Sequence, residues 1–171
     1  MEIILETARC YLRKMTSELD AENAFELNND FDVIKYTGDV AFANVEAAKL
    51  FLDNYKDYER NNMGSWAVIR KLDNAWLGWC GLKLMAETNE VDLGYRLHQQ
   101  YWNDGYATEC ALACVHYGFD KLFLDRIIGR VESGNIGSIR VLEKCGMQLV
   151  KHTNFNGNDG LEYELLKTKF I

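Results

Sequence analysis

The chain of 171 residues contains no proline. Nothing functional follows from that, and its turns are read from glycine, asparagine and aspartate. It has no apolar run long enough to cross a membrane. Its start, M-E-I-I-L-E-T-A-R-C, lacks the charged-then-apolar layout of an export signal. These two absences set the expectation of a cytoplasmic protein with no membrane partner. Five cysteines, at 10, 80, 110, 114 and 145, form no C-x-x-C and are odd in number. Neither a disulfide framework nor a zinc knuckle is expected, and a reducing cytoplasm fits. Cys110 and Cys114 lie four apart in a helical pattern and read as small buried side chains. His98, His116 and His152 are scattered, so no metal is expected. Basic charge is also short, with 19 Lys and Arg against 26 Asp and Glu and a formal net charge of −7. That argues against nucleic acid as a partner. It is compatible with a cationic substrate, although a solvated acidic surface is the commoner cause of such a balance. Two nucleotide fingerprints are missing as well: there is no G-x-x-x-x-G-K-[ST] and no early G-x-G-x-x-G after a first strand.

What is present is ordinary in amount and informative in order. The length suits one domain, residues 1–171, with no linker, repeat or low-complexity segment to divide it. Residues 2–13 read as a first strand. Ser17 and Asp20 form a capping pair that starts a helix with Ala21, Ala24, Phe25 and Asn28 on one face. Residues 31–44 read as irregular with a turn at Gly38, and a second helix begins near Val45 behind Asn44 as cap. Residues 65–71, 76–85 and 91–97 read as three closely joined strands, an antiparallel meander. A helix over about 106–119, a strand over 126–132 and a short helix over 136–145 follow, with Gly146 in the left-handed position that ends it. Strands over 147–153 and 161–168 close the chain, with residues 154–160 as a loop between them. The order predicts an α/β (α+β) fold with a mixed parallel and antiparallel sheet.

The stretch V-D-L-G-Y-R-L-H-Q-Q-Y-W-N-D-G-Y-A-T-E, from 91 to 109, carries the chemistry. It reads as strand, loop with Gly105, and helix. The free N–H groups and the dipole of a helix N-terminus make a place for phosphate. Many α/β units begin a helix this way and bind nothing. Thirty residues on comes N-I-G-S-I-R-V-L-E-K-C-G-M. Together the two segments resemble the Gcn5-related N-acetyltransferases (the GNAT superfamily). With the opening E-T-A-R-C-Y-L-R-K-M-T-S-E-L-D-A, the chain is similar to the branch of the ribosomal-protein N-acetyltransferases RimJ and RimL.

That resemblance implies a GNAT fold: a central mixed, mostly antiparallel twisted sheet of about seven strands flanked by about four helices. It implies transfer of an acetyl group from acetyl-coenzyme A to a primary amine, with no metal. The 91–97 strand, at Tyr95, Arg96 and Leu97, would offer backbone to the pantetheine arm. Trp102, Asn103, Asp104, Gly105, Tyr106, Ala107 and Thr108 would cradle the pyrophosphate. Asn135 and Ser138 would meet the pantetheine and the sulfur, and Lys144 an adenine-side phosphate. Each has a plainer reading beside it: Asn135 as helix cap, Ser138 as first-turn residue, Lys144 as a solvated helix end. Two departures stand out. Asn103 replaces the first glycine of the branch's Trp-Gly-x-Gly loop. Leu142 replaces the tyrosine that many relatives use as the acid for the leaving thiolate.

Attack on a thioester needs a neutral amine. Asp92 and Glu90 are the candidate bases, directly or through water, and Ser138 a candidate assistant. For Asp92 a solvated strand carboxylate is the bland alternative. Tyr36, Gly38, Asp39 and the rest of 31–44 are the expected acceptor pocket, with 154–160 as a second rim. The acceptor expected is a protein N-terminus, a polyamine or a small-molecule amine, with a lean toward cationic ones from the acidic balance. A homodimer is common in the branch. The rival from another class is a non-catalytic acyl-CoA-binding sensor module of the same fold.

Overall fold

The computed structural model describes residues 2–170. One eight-stranded sheet runs through it. The strands are β1 (Ile3–Glu6), β2 (Cys10–Lys14), β3 (Ser65–Arg70), β4 (Trp76–Met85), β5 (Glu90–Leu97), β6 (Arg126–Glu132), β7 (Gln148–Phe155) and β8 (Asn158–Leu166), in spatial order β1-β2-β3-β4-β5-β6-β8-β7. Every neighbouring pair is antiparallel except β5 and β6. The helices are α1 (Ser17–Asn28), α2 (Phe31–Ile34), α3 (Val45–Asp53), α4 (Asp57–Asn61), α5 (Tyr106–Asp120) and α6 (Ile136–Lys144).

The mixed, mostly antiparallel sheet is as expected, with local differences that have physical causes. The expected first strand is a hairpin: Thr7 accepts from the Cys10 N–H through its hydroxyl at 2.9 Å, turning the chain between two apolar halves. That split supplies the eighth strand. The two added helices, α2 and α4, are of four and five residues, too short to show a periodic stripe. The expected 154–160 loop is a tight turn within a hairpin, with Asn156 and Gly157 both left-handed (φ 52 and 88), as a two-residue Asn-Gly turn requires.

The start of α1 also moves by one residue. Thr16, not Ser17, is the cap and accepts from Leu19 N at 3.3 Å. Asp20 keeps its place in the cap and takes further partners. It is fully buried and takes a two-pronged ion pair from Arg13 at 2.7 and 2.8 Å, plus the Trp76 indole N–H at 3.0 Å and the Thr16 amide at 2.7 Å. A buried carboxylate persists only when its lone pairs are filled this completely, and the arrangement ties α1 to β2 and β4.

The core has two parts. Leu82, Leu93, Cys110, Cys114, Val115, Phe119 and Ile127 belong to the larger, between the sheet and α5. Met15, Ala21, Ala48, Leu52, Ala67 and Ile69 form the smaller, under α1 and α3. All five cysteines are buried and unbridged. Among the described residues, no helix is long and apolar enough to cross a membrane.

Candidate active site

The site is built where the sheet comes apart. The antiparallel pairs run in register over most of their length, whereas β5 and β6 meet at one register pair, Asp92 opposite Ile128. Past that point Leu93–Leu97 and Gly129–Glu132 diverge, and the β5 edge is left without a strand beside it. Such an edge presents N–H and C=O groups to any extended chain laid along it.

The alternation of β5 gives the wedge two sides. Val91, Leu93 and Leu97 pack toward α5, while Asp92, Gly94 and Arg96 face the cavity on the α1 side. Tyr95 crosses to α6, where its hydroxyl donates to the Ser138 carbonyl at 2.8 Å, and burial pushes its phenol far above the usual range. Arg96 is not free: it reaches Asp39 at 2.6 Å and Asn28, and lies over the Trp79 ring. It fastens the 31–44 segment to the sheet. The Leu97 carbonyl accepts from the Trp102 indole at 2.7 Å, fixing the loop that follows β5.

That loop delivers the N-terminus of α5. Asn103 and Gly105 are both left-handed, with φ of 65° and 80°, so asparagine does adopt the conformation expected of it. Gly105 is the residue before the helix and offers no side-chain cap. The first-turn amides of Tyr106, Ala107 and Thr108 are therefore without intrahelical acceptors. A Cβ at Gly105 would meet only the tip of Arg9 at 3.5 Å, so the approach to the backbone is open. Arg9 was not found from the sequence. It pairs with Glu109 at 2.6 Å, donates to the Asp104 carbonyl at 3.0 Å and covers the Tyr106 ring at 4.1 Å. It thereby offsets the one acidic side chain in the first turn of α5. No local pattern reveals it, because it lies about a hundred residues away.

The α6 N-terminus stands across the wedge. Asn135 is its cap, with Oδ1 accepting from Ser138 N at 3.2 Å. Asn135, Ser138 and Leu142 all line the cavity. The plainer reading of Asn135 is thus present in the geometry, and its amide NH2 has no partner among the described residues. Leu142 is 2% exposed and packs on Gly129, a hydrocarbon with no proton to give. Lys144 is exposed in the last turn of α6, away from the capped end. Cys145 is buried, and burial pushes its thiol up to about 12, which leaves it a poor nucleophile.

The two candidate carboxylates part company. Asp92 sits at the apex of the wedge, accepting from the Arg130 amide at 3.1 Å. Burial raises its carboxyl from 3.8 to about 6, against the opposing pull of Arg130 and Lys83. Glu90 lies toward the other end of β5, bound to Arg126, whose hydrogen bond holds it below the usual carboxylate range. Arg126 also binds Glu164 at 2.7 Å. The structure does not bring Glu90 to the wedge.

The cavity has a volume of about 510 Å³. Tyr36, Thr37, Asp39, Val40 and Phe42 of the 31–44 segment form part of its wall. Phe155 adds to the wall, and Asn156 donates to the Thr37 carbonyl at 3.0 Å, so the β7–β8 hairpin closes one side. The charged lining is Lys83, Arg96 and Arg130 against Asp39 and Asp92. The acidity of the chain as a whole is not concentrated here.

Residues 9–148 match the family model described as an acetyltransferase (GNAT) domain. An uncharacterised N-acetyltransferase, p20 of Bacillus licheniformis, is 31% identical over 146 residues, 84% of this chain and 82% of its own length. The crystal structure of a GNAT-family acetyltransferase from Bacillus anthracis is 26% identical, with a TM-score of 0.83 over 96% of this chain and 98% of that one. A spermidine N-acetyltransferase from Vibrio cholerae, in complex with CoA and spermine, shares the fold at 17% identity, with a TM-score of 0.79 over 95% of this chain and 98% of its own.

Proposed function

The chain belongs to the GNAT family of acetyltransferases, and from that premise we propose that it carries an acetyl group from acetyl-coenzyme A to a primary amine by direct attack in a ternary complex. The observation that carries this reading is the pairing of an uncapped α5 N-terminus with an unpaired β5 edge. The residues present suit the cosubstrate. The amides of Tyr106, Ala107 and Thr108, with the bare backbone at Gly105, suit a diphosphate. The open edge of β5 suits the amide-bearing pantetheine arm, and the free amide NH2 of Asn135 suits one of its carbonyls. We place the chain in the RimJ/RimL-like branch of cytoplasmic enzymes, on the opening segment and the paired motifs.

The roles follow from position. Asp92, at the apex and with its carboxyl raised to about 6, accepts the proton that the amine nitrogen must shed. The nitrogen bonds to the thioester carbon, and the carbon–sulfur bond breaks. Developing charge on the acyl oxygen is met by a β5 backbone N–H near Arg96 or Leu97. The thiolate leaves without help from Leu142. That is tolerable, because a thiol titrates near ~8.5, and Tyr95 and Ser138 are hydroxyl-bearing residues that line the same cavity. The inert Cys145 speaks against a covalent acetyl-enzyme.

The test is thiol release from acetyl-CoA against a library of amines and N-terminal peptides, with a thermal-shift measurement beside it. Binding that raises the melting temperature together with release that depends on an amine supports the reading. Binding without release by any amine would favour the sensor module instead.

A further inference from the structure

We propose that the acceptor is an amine that carries a carboxylate beside an apolar body, of the amino-acid type, and that Arg130 is the residue that selects it. This inference rests on the acetyl-transfer reading above and narrows it. Arg130 lies on β6, two residues past the Asp92–Ile128 pair, and faces the cavity. Its Nη2 is buried and has no hydrogen-bond partner. Among the described residues the guanidinium makes no ion pair; Glu162, opposite it on β8, faces Arg126 and Lys151 at 3.5 and 3.4 Å, and its Oε1 is buried without a hydrogen bond. A buried donor left unmet is costly, and a planar guanidinium matches a carboxylate with two parallel bonds.

The other charges leave that role to Arg130. Arg96 is already taken by Asp39 at 2.6 Å and by Asn28. Lys83, opposite Asp92 in register, adds a second positive charge. Of the two carboxyls that line the cavity, Asp39 is held by Arg96, and Asp92 must be free to take a proton. A polycation entering this cavity meets two like charges and no spare anion. An acceptor with a carboxylate meets its complement. The rest of the wall suits an apolar body, with Leu27, Phe42, Phe51, Tyr55 and Trp79 around the same space. The lean toward a cationic acceptor, drawn from net charge, is therefore reversed by where the charges sit.

The test compares pairs of acceptors that differ only at the carboxylate, such as phenylalanine and methionine with their carboxamides. Spermidine is a third arm, and rates are taken per neutral amine. The acid is expected to exceed its amide by roughly ten- to hundred-fold in kcat/KM, mostly through acceptor KM, with spermidine poorer than either. Arg130→Gln is expected to erase that ratio while changing the KM for acetyl-CoA by less than about two-fold, and Arg130→Lys to restore part of it. Equal use of acid and amide by the unaltered protein, or a preference for spermidine, overturns the proposal and needs no variant to fold. So does a variant that slows acid and amide alike while moving the acidic limb of the pH profile, because the guanidinium would then act only through Asp92. Amine-dependent release that excludes every carboxylated amine overturns it and leaves the acetyl-transfer reading standing. Failure to bind acetyl-CoA at all overturns both.

Discussion

Two helices follow the two strands that part, α5 after β5 and α6 after β6, and they begin differently. At α6 the side chain of Asn135 turns back and fills the Ser138 amide, as at most helix starts. At α5 the preceding residue is Gly105, which has no side chain to turn back, and the chain enters through two left-handed residues. One end is closed by the protein itself. The other leaves its amides without a side-chain partner, with Arg9 beside it to offset Glu109. The contrast teaches that a missing cap is informative when the backbone has also been strained to reach it. Left-handed backbone at Asn103 costs of order 1 kcal/mol, and turns elsewhere in the chain, at Asn62, Asn74 and Asn89, carry it too, so the missing side-chain cap at Gly105 is the more telling of the two features.

The difference between holding and acting is the first thing to break. Asp92 lies on β5 at the point where β5 and β6 part and belongs to neither helix end. Asp92→Asn should lower kcat by roughly a hundred-fold or more with acetyl-CoA affinity unchanged, measured by turnover and by calorimetric titration. The unaltered enzyme should lose activity as pH falls through about 6, where Asp92 takes up its proton, and the variant should lack that limb. Stability should move oppositely. A carboxyl raised from 3.8 to about 6 by folding favours the folded state while protonated, and that contribution is lost as pH rises through about 6. Asp92→Asn should therefore raise the melting temperature more at pH 8 than at pH 5.

Next in size comes the open end. Gly105→Val forces a branched side chain into φ of 80°. Acetyl-CoA binding should weaken by roughly ten- to hundred-fold, with a smaller loss for Gly105→Ala. Arg9→Ala leaves Glu109 uncompensated in the first turn of α5. It should weaken acetyl-CoA by about three- to ten-fold at low salt, with the effect fading as salt rises. The closed end should respond most mildly and in a different quantity. Asn135→Ala removes a cap worth about 1 kcal/mol of stability, seen in urea unfolding, with a few-fold rise in the KM for acetyl-CoA.

Much of this was legible in the sequence where the signal is local. The bounds of β4 and β6, the Asn44 cap and the left-handed Gly146 follow from periodicity and from backbone chemistry that one residue decides. Gly105 and Asn103 belong to the same class. What escaped was set by distant partners. Asp20 reads as half of a local cap, and it does accept from the amide of the cap residue Thr16, but its burial and its bonds from Arg13 and Trp76 carry no local signal. Glu90 and Asp92 share a face by alternation, and only the parting of β5 from β6 places one at the apex and the other with Arg126. Arg9 and Arg130 carry no motif, and their positions exist only once the sheet is assembled. Net charge is silent on the cavity for the same reason, since it reports a sum and not a location.

The central claim concerns amides, and amide exchange tests it most directly. In the free protein the N–H groups of Tyr106, Ala107 and Thr108 should exchange fast, whereas that of Ser138 should already be protected by Asn135. Saturating acetyl-CoA should slow exchange at residues 106–108 and along the β5 edge, with much less change at Ser138. Unchanged exchange at 106–108 in the presence of bound cosubstrate would contradict the account.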